Sequence, residues 1–215
     1  MSEKKLKKEK KFNGTDFTGG VVAGSIASSV PALAMVKNEG SDITMGQLAN
    51  SMNYKNLPQH VDIDSPLKSM YVGGKYNVLF APKTAPGLMA HELSHANSKM
   101  LKTTPGVVAY TAGKPAGIIG MIRGAYTGSK DKNVSMKERI VQLAATSPML
   151  FEETMANTRA AQALLRTGGK KALLKAAPNL LASESSYLAN SFSGDIGNYM
   201  ARKIKDIRSK KKENK

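Results

Sequence analysis

The chain has 215 residues, 41 % of them hydrophobic, which suffices for one domain of ordinary size. It holds no cysteine, so disulfides, thiolate metal ligands and a cysteine nucleophile are excluded. A net charge of +16 gathers at the ends: residues 1–11 carry six Lys against two Glu, and residues 202–215 carry eight Lys or Arg against two acids. Such runs read as solvated tails, 1–18 as a leader and 201–215 as a trailing segment. They suit an anionic membrane surface or nucleic acid as partner.

Residues 19–36, GGVVAGSIASSVPALAMV, contain no charge. As a helix they would span about 27 Å, close to the thickness of a bilayer core, although Gly and Ser dilute their hydrophobicity. Gly20 and Gly24 form a GxxxG, a spacing that supports close helix pairing or self-association. This pattern favours a soluble or membrane-associated helix over a cleavable secretory leader. The main domain is expected over 41–200. It opens with a short helix capped by Ser41 or Asp42 and a loop ending near Pro58. Residues 69–82 read as a β-hairpin, with Met70–Val72 and Tyr76–Phe80 flanking Gly73-Gly74.

A helix from about Gly87 to Leu101 follows, and Pro105 is expected to stop it. Residues 105–122 form a glycine-rich apolar insert interrupted by Lys114-Pro115, read as two short helices in a hairpin. Residues 123–132 read as polar linker. Ser135 to about Leu165 has helical periodicity with a break at Ser147-Pro148. Gly168-Gly169 ends that run, and a further helix or two fills 170–205. No phosphate-cradling G-x-x-x-x-G-K-[ST] loop is present.

The helix from Gly87 carries HELSH, residues 91–95, and two of the chain's three histidines. Positions i and i+4 share one helix face, so His91 and His95 can aim ring nitrogens at one ion. Glu92 then stands beside the open coordination position, where a carboxylate can take a proton from an attacking water. Apart from Glu92, no charged residue lies between Lys83 and Lys99, as a buried metal helix requires. A third protein ligand is needed. His60 is one candidate, and the FEETMAN stretch supplies Glu153 with Glu152 as its rival, because adjacent helical residues point about 100° apart.

HExxH on one helix and E-x-x-A-[D/N] on a later one resembles the gluzincin metallopeptidases. The likeness is greatest to the group holding the CAAX prenyl proteases and the bacterial heat-shock membrane protease, and it covers roughly 69–165. The resemblance implies one Zn²⁺ held by His91, His95 and Glu153, with Glu92 as general base in peptide-bond hydrolysis. Asn157 occupies the place where the family has an Asp bonded to a ligand histidine; the amide oxygen can still accept the imidazole N–H, without the charge. The implied fold is a mainly α, zincin-like α+β domain, with the HExxH helix packed on a small sheet and on the Glu-bearing helix. Tyr76, Asn77, Val78, Leu79 and Phe80 would form the edge strand that holds extended substrate. Tyr187, Tyr199 and His60 are candidates for stabilising the oxyanion. The alternative is a weak or inactive zincin-like scaffold anchored by its basic tails within a larger assembly.

Overall fold

The computed structural model describes residues 12–35, 39–40, 42–64, 69–73 and 76–213. These form a mainly helical protein with one small sheet. The elements are α1 (Gly14–Met35), α2 (Met45–Ser51), β1 (Gln59–Val61), β2 (Met70–Val72), β3 (Val78–Phe80), α3 (Pro86–Ala96), α4 (Thr104–Ser129), α5 (Met136–Ser191) and α6 (Ser193–Glu213). The basic leader 1–11, Ser41 and Gly74 lie outside the described residues, as do Asn214 and Lys215.

The sheet has the order β1-β3-β2, with β1 parallel and β2 antiparallel to β3. The expected hairpin pairing is present, Tyr71 opposite Leu79. β1 was not foreseen, since QHV is too short and polar to read as a strand. Its presence overturns the assignment of Tyr76–Phe80 as the edge strand: Val78–Phe80 is the middle strand, and Tyr76 and Asn77 precede it. The edge nearest α3 is β2.

α3 lies between this sheet and α5, and all eleven of its residues are buried. Leu48 and Ala49 of α2, Leu79 of β3, Met89 and Leu93 of α3, and Ala160, Ala163, Leu164 and Ala176 of α5 form one apolar core. α2 starts one turn later than expected. Thr44 caps it by a reciprocal pair of bonds with Gln47, a capping box that outcompetes Ser41 or Asp42 as the start. α3 ends at Ala96 rather than Leu101. Pro105 stops nothing, and lies in the first turn of α4 where its missing N–H costs nothing.

α5 is a helical hairpin. Gly169 has φ +66° and ψ −164°, a backbone turn open to glycine alone, and it folds the second arm back along the first. Pro148 breaks neither arm. α4 likewise runs unbroken through Lys114-Pro115 and through 123–129, correcting both the two-helix insert and the polar linker. Lys114, Pro115 and Thr111 (whose carbonyl loses its partner to proline) face solvent, while Gly113, Gly117, Gly120, Gly124 and Gly128 pack inward on α5 and α6.

The trailing basic segment is helical as far as Glu213 and docked through Arg208, while 209–213 are exposed. Lys205 pairs with Asp131, Arg202 bonds Asn133 and Arg208 pairs with Asp16. The helix it packs on, α1, begins at Gly14 rather than 19, because Asn13 caps the amides of Thr15 and Asp16. The GxxxG serves this same packing within one chain. A Cβ on Gly20 would come within 2.6 Å of the Ala201 Cβ, and one on Gly24 within 2.5 Å of the Met121 sulfur. Among the described residues no helix is long and apolar enough to cross a membrane.

Candidate metal centre

The amino end of α3 has no side-chain cap of its own, since Ala85 precedes it. A remote carboxylate does that work: Glu39 accepts the Gly87 N–H at 2.7 Å and the Asn179 amide at 2.7 Å. Gly87 is required there, because a Cβ would lie 2.6 Å from Glu39 Oε1 and 2.7 Å from the Ala176 Cβ. Burial pushes the Glu39 carboxyl upward, opposed by its bonds to Asn179 and Gly87. α3 is thus pinned at the end from which its histidines are counted.

One turn further on, His91 and His95 turn their rings toward the first arm of α5. His91 Nε2 lies 3.1 Å from Glu153 Oε2, and His95 Nε2 lies 3.5 Å from the same oxygen. The two Nε2 atoms are 3.2 Å apart. All three side chains are buried, and together they could hold a metal ion. Glu153 Oε2 is buried with no hydrogen-bond partner among the described residues, which is costly for a carboxylate unless a cation faces it.

The outer ring nitrogens are held by different partners. His91 Nδ1 is 2.8 Å from Asn157 Oδ1. The Asn157 amide donates to Glu184 Oε2 at 2.8 Å and to the Leu180 carbonyl at 3.3 Å, so its oxygen must face the histidine. His91 therefore carries its proton on Nδ1 and presents the Nε2 lone pair inward. His95 Nδ1 faces Glu152 Oε1 at 3.4 Å, which imposes the same tautomer. Glu152 also accepts from Ser98 at 2.7 Å and from Arg159 at 3.3 Å. The two adjacent glutamates thus divide the work, Glu153 facing the ion position and Glu152 holding a histidine from behind.

Electrostatics follow from this packing. Burial opposes ionisation of Glu153, yet the two imidazoles hold its carboxyl well below the usual carboxylate range. Burial likewise works against Glu152, and His95 with Ser98 brings it down. Burial alone would lower His95, but the carboxylates of Glu152 and Glu153 prevail and raise it to about 10. With no ion between the rings His95 is therefore an imidazolium, and a bound cation would displace its Nε2 proton and leave the one facing Glu152. Glu92 goes the other way: burial pushes its carboxyl up against the pull of both histidines and the Tyr71 backbone N–H. That last contact seats Glu92 against edge strand β2.

Tyr110 of α4 donates its hydroxyl to Glu153 Oε1, and Tyr187 of α5 approaches both Glu153 and Tyr110. Burial raises both phenols, and the Glu153 charge raises them further, so both stay protonated donors. Beside His95 a cavity of about 950 Å³ runs between Tyr54, Tyr71, Leu101 and Tyr110, with Lys55 and Lys102 in its wall. It is of the size that ligand clefts take.

The structure brings together His91, Glu92, His95, Glu153, Asn157 and Tyr187. It separates the other two oxyanion candidates from them. His60 sits on β1 with Nε2 bonded to the Ala81 carbonyl at 2.8 Å, neither ligand nor oxyanion donor. Tyr199 is 58 % exposed on α6, with Lys203 Nζ 5.7 Å from its ring. Sequence reasoning missed Glu39, Ser98, Tyr110, Arg159 and Glu184. A helical wheel could have found Arg159, seven positions after Glu152 and so on the same face. Comparison with protein-family models, curated proteins and solved structures finds no match to this chain. The reading rests on geometry.

Proposed function

We propose that the chain is a zinc-dependent peptidase of gluzincin type. The observation that carries this reading is the triangle of His91 Nε2, His95 Nε2 and Glu153 Oε2, with edges of 3.1, 3.2 and 3.5 Å. His91, His95 and Glu153 would hold the ion, since donors about 3.3 Å apart suit tetrahedral binding at 2.0–2.1 Å, and two imidazoles with one carboxylate are a donor set that catalytic zinc sites use. Zinc held there supplies Lewis acidity and lowers the pKa of its water toward 7.

The protein's own groups divide the remaining work. Glu92, whose proton affinity is raised by burial, takes the proton from the attacking water and returns it to the leaving amine. β2, an edge strand of the sheet, would hold an extended peptide, and the cavity beside His95 would receive the adjoining residues. Tyr187, kept protonated next to Glu153, is placed to donate to the oxygen on which negative charge develops. Asn157 and Glu152 keep both histidines in the metal-binding tautomer.

The test is Glu92→Gln compared with wild type. Both proteins should bind one zinc per chain by equilibrium dialysis, and cleavage of a denatured-protein substrate should fall at least 100-fold in the variant. A folded wild type that takes up no stoichiometric zinc at neutral pH would refute the proposal. Stoichiometric zinc without cleavage would leave the scaffold reading in its place.

A further inference from the structure

The family-like motif has a neutral Asn157 where a carboxylate is expected, and the second arm of α5 supplies one from behind it. Glu184 Oε2 accepts from Asn157 Nδ2 at 2.8 Å, while its Oε1 accepts from Thr154 Oγ1 at 2.6 Å. An unconstrained asparagine can turn either end of its amide toward a histidine. With Nδ2 turned inward it would offer a donor, favour the Nε2–H tautomer and remove the lone pair a metal needs.

We propose that Glu184 is the positioning residue for ligand His91, acting through Asn157 and replacing from one bond further out the missing carboxylate. The inference rests on the metal-site reading above. Glu184 fixes the amide, the amide fixes the Nδ1–H tautomer, and the tautomer turns the Nε2 lone pair toward Glu153, with Ser183 Oγ 3.5 Å away. The Leu180 carbonyl assists with a longer bond of 3.3 Å. Placing the negative charge beyond the amide polarises it, so its oxygen becomes a stronger acceptor for the imidazole N–H.

The experiment measures zinc affinity of the full chain by competition with a chromophoric chelator. It also follows the His91 tautomer in the metal-free protein from ring ¹⁵N shifts. Glu184→Ala should weaken zinc about 10-fold or more, the range seen when a partner of a ligand histidine is removed, and should populate the Nε2–H tautomer. Glu184→Gln, whose amide oxygen still accepts from Asn157, should recover affinity to within about 3-fold of wild type. Thr154→Val removes the other bond to Glu184 and should leave affinity unchanged, so a loss there would point to a merely structural link between the arms.

Asn157→Asp gives a sign reversal. Alone it sets two carboxylates face to face and should weaken zinc; combined with Glu184→Gln it should bind at least as tightly as wild type. Wild-type affinity and an unchanged His91 tautomer in Glu184→Ala would overturn the inference while leaving the metal site intact. A wild type that binds no zinc would instead defeat the site reading itself.

Discussion

The contact of Glu39 with the start of α3 makes a testable claim about how the histidine helix is held. Glu39→Ala removes the acceptor for two donors, the Gly87 N–H and the Asn179 amide. A buried donor left without a partner costs about 1–3 kcal/mol. Two such losses would give about 2–6 kcal/mol. The raised pKa of Glu39 shows, however, that the carboxylate itself resists burial, so its removal relieves part of the cost. The expected loss therefore falls near the bottom of that range, about 2–3 kcal/mol. For a chain of this length that corresponds to a melting-temperature drop of roughly 4–12 °C.

Urea denaturation followed by circular dichroism at 25 °C measures the loss directly, as a lower midpoint with the slope unchanged. The pH dependence has a definite sign. Because the folded pKa of Glu39 lies above its ordinary value of 4.5, the folded state binds this proton more tightly, and the stability the group contributes falls as pH rises through the folded pKa. The penalty of Glu39→Ala should accordingly be larger near pH 5 than near pH 8. Lys175→Met, which removes only the bond to the exposed Gly40 carbonyl, is the control and should shift stability by less than about 0.5 kcal/mol. A Glu39→Ala loss as small as that control would refute the claim that α3 is pinned by this carboxylate.

Zinc at 100 times its dissociation constant should stabilise the wild type by about 2.7 kcal/mol. At this chain length that is a rise of roughly 5–11 °C in melting temperature, reversed by a chelator. Glu153→Ala should abolish the rise, and a rise that survives in it would exclude Glu153 as a ligand. Gly124→Ala would set a Cβ 1.8 Å from the Gly194 carbonyl oxygen, a backbone atom that no rotamer change can move. The α4–α6 contact must then open, lowering stability by at least about 1–3 kcal/mol in the same urea assay; a variant as stable as wild type would show that the helices do not pack this closely. Lys55 and Lys102 line the cavity beside His95, and among the described residues no Asp or Glu does. Under the proposed peptidase activity, peptides with an acidic residue near the scissile bond should have the lower KM, by a margin that narrows as salt screens the pair, and equal KM values for acidic and basic peptides would contradict this.

Much of the centre was legible in the sequence because helical spacing is a local rule. His91 and His95 fall on one face through i, i+4, and Glu153 and Asn157 do so by the same rule. The choice between Glu152 and Glu153 was not legible, since it depends on how the first arm of α5 is rotated against α3. Proline and glycine misled for a related reason. Pro115 and Pro148 were read as interruptions by their intrinsic cost, which the packing of long helices outweighed. Gly169 was read correctly, because a positive φ is a local requirement. Glu39 and Glu184 carry no local signature; the first lies 48 residues from the amide it caps, and the second meets Asn157 only once Gly169 has folded the hairpin.

The same hairpin bears on the substitution that looked like a defect. Around the three donor atoms, Glu92, Glu152 and Glu153 are buried carboxylates, and the Arg159 guanidinium bonds Glu152. An aspartate at 157 would add a further carboxylate to these and would face Glu184 across the 2.8 Å now spanned by an amide bond. In this fold a neutral residue at 157 is the electrostatically consistent choice, because the carboxylate it stands in for is already present on the returning arm. The residue to mutate first in asking whether Asn157 weakens the site is therefore Glu184.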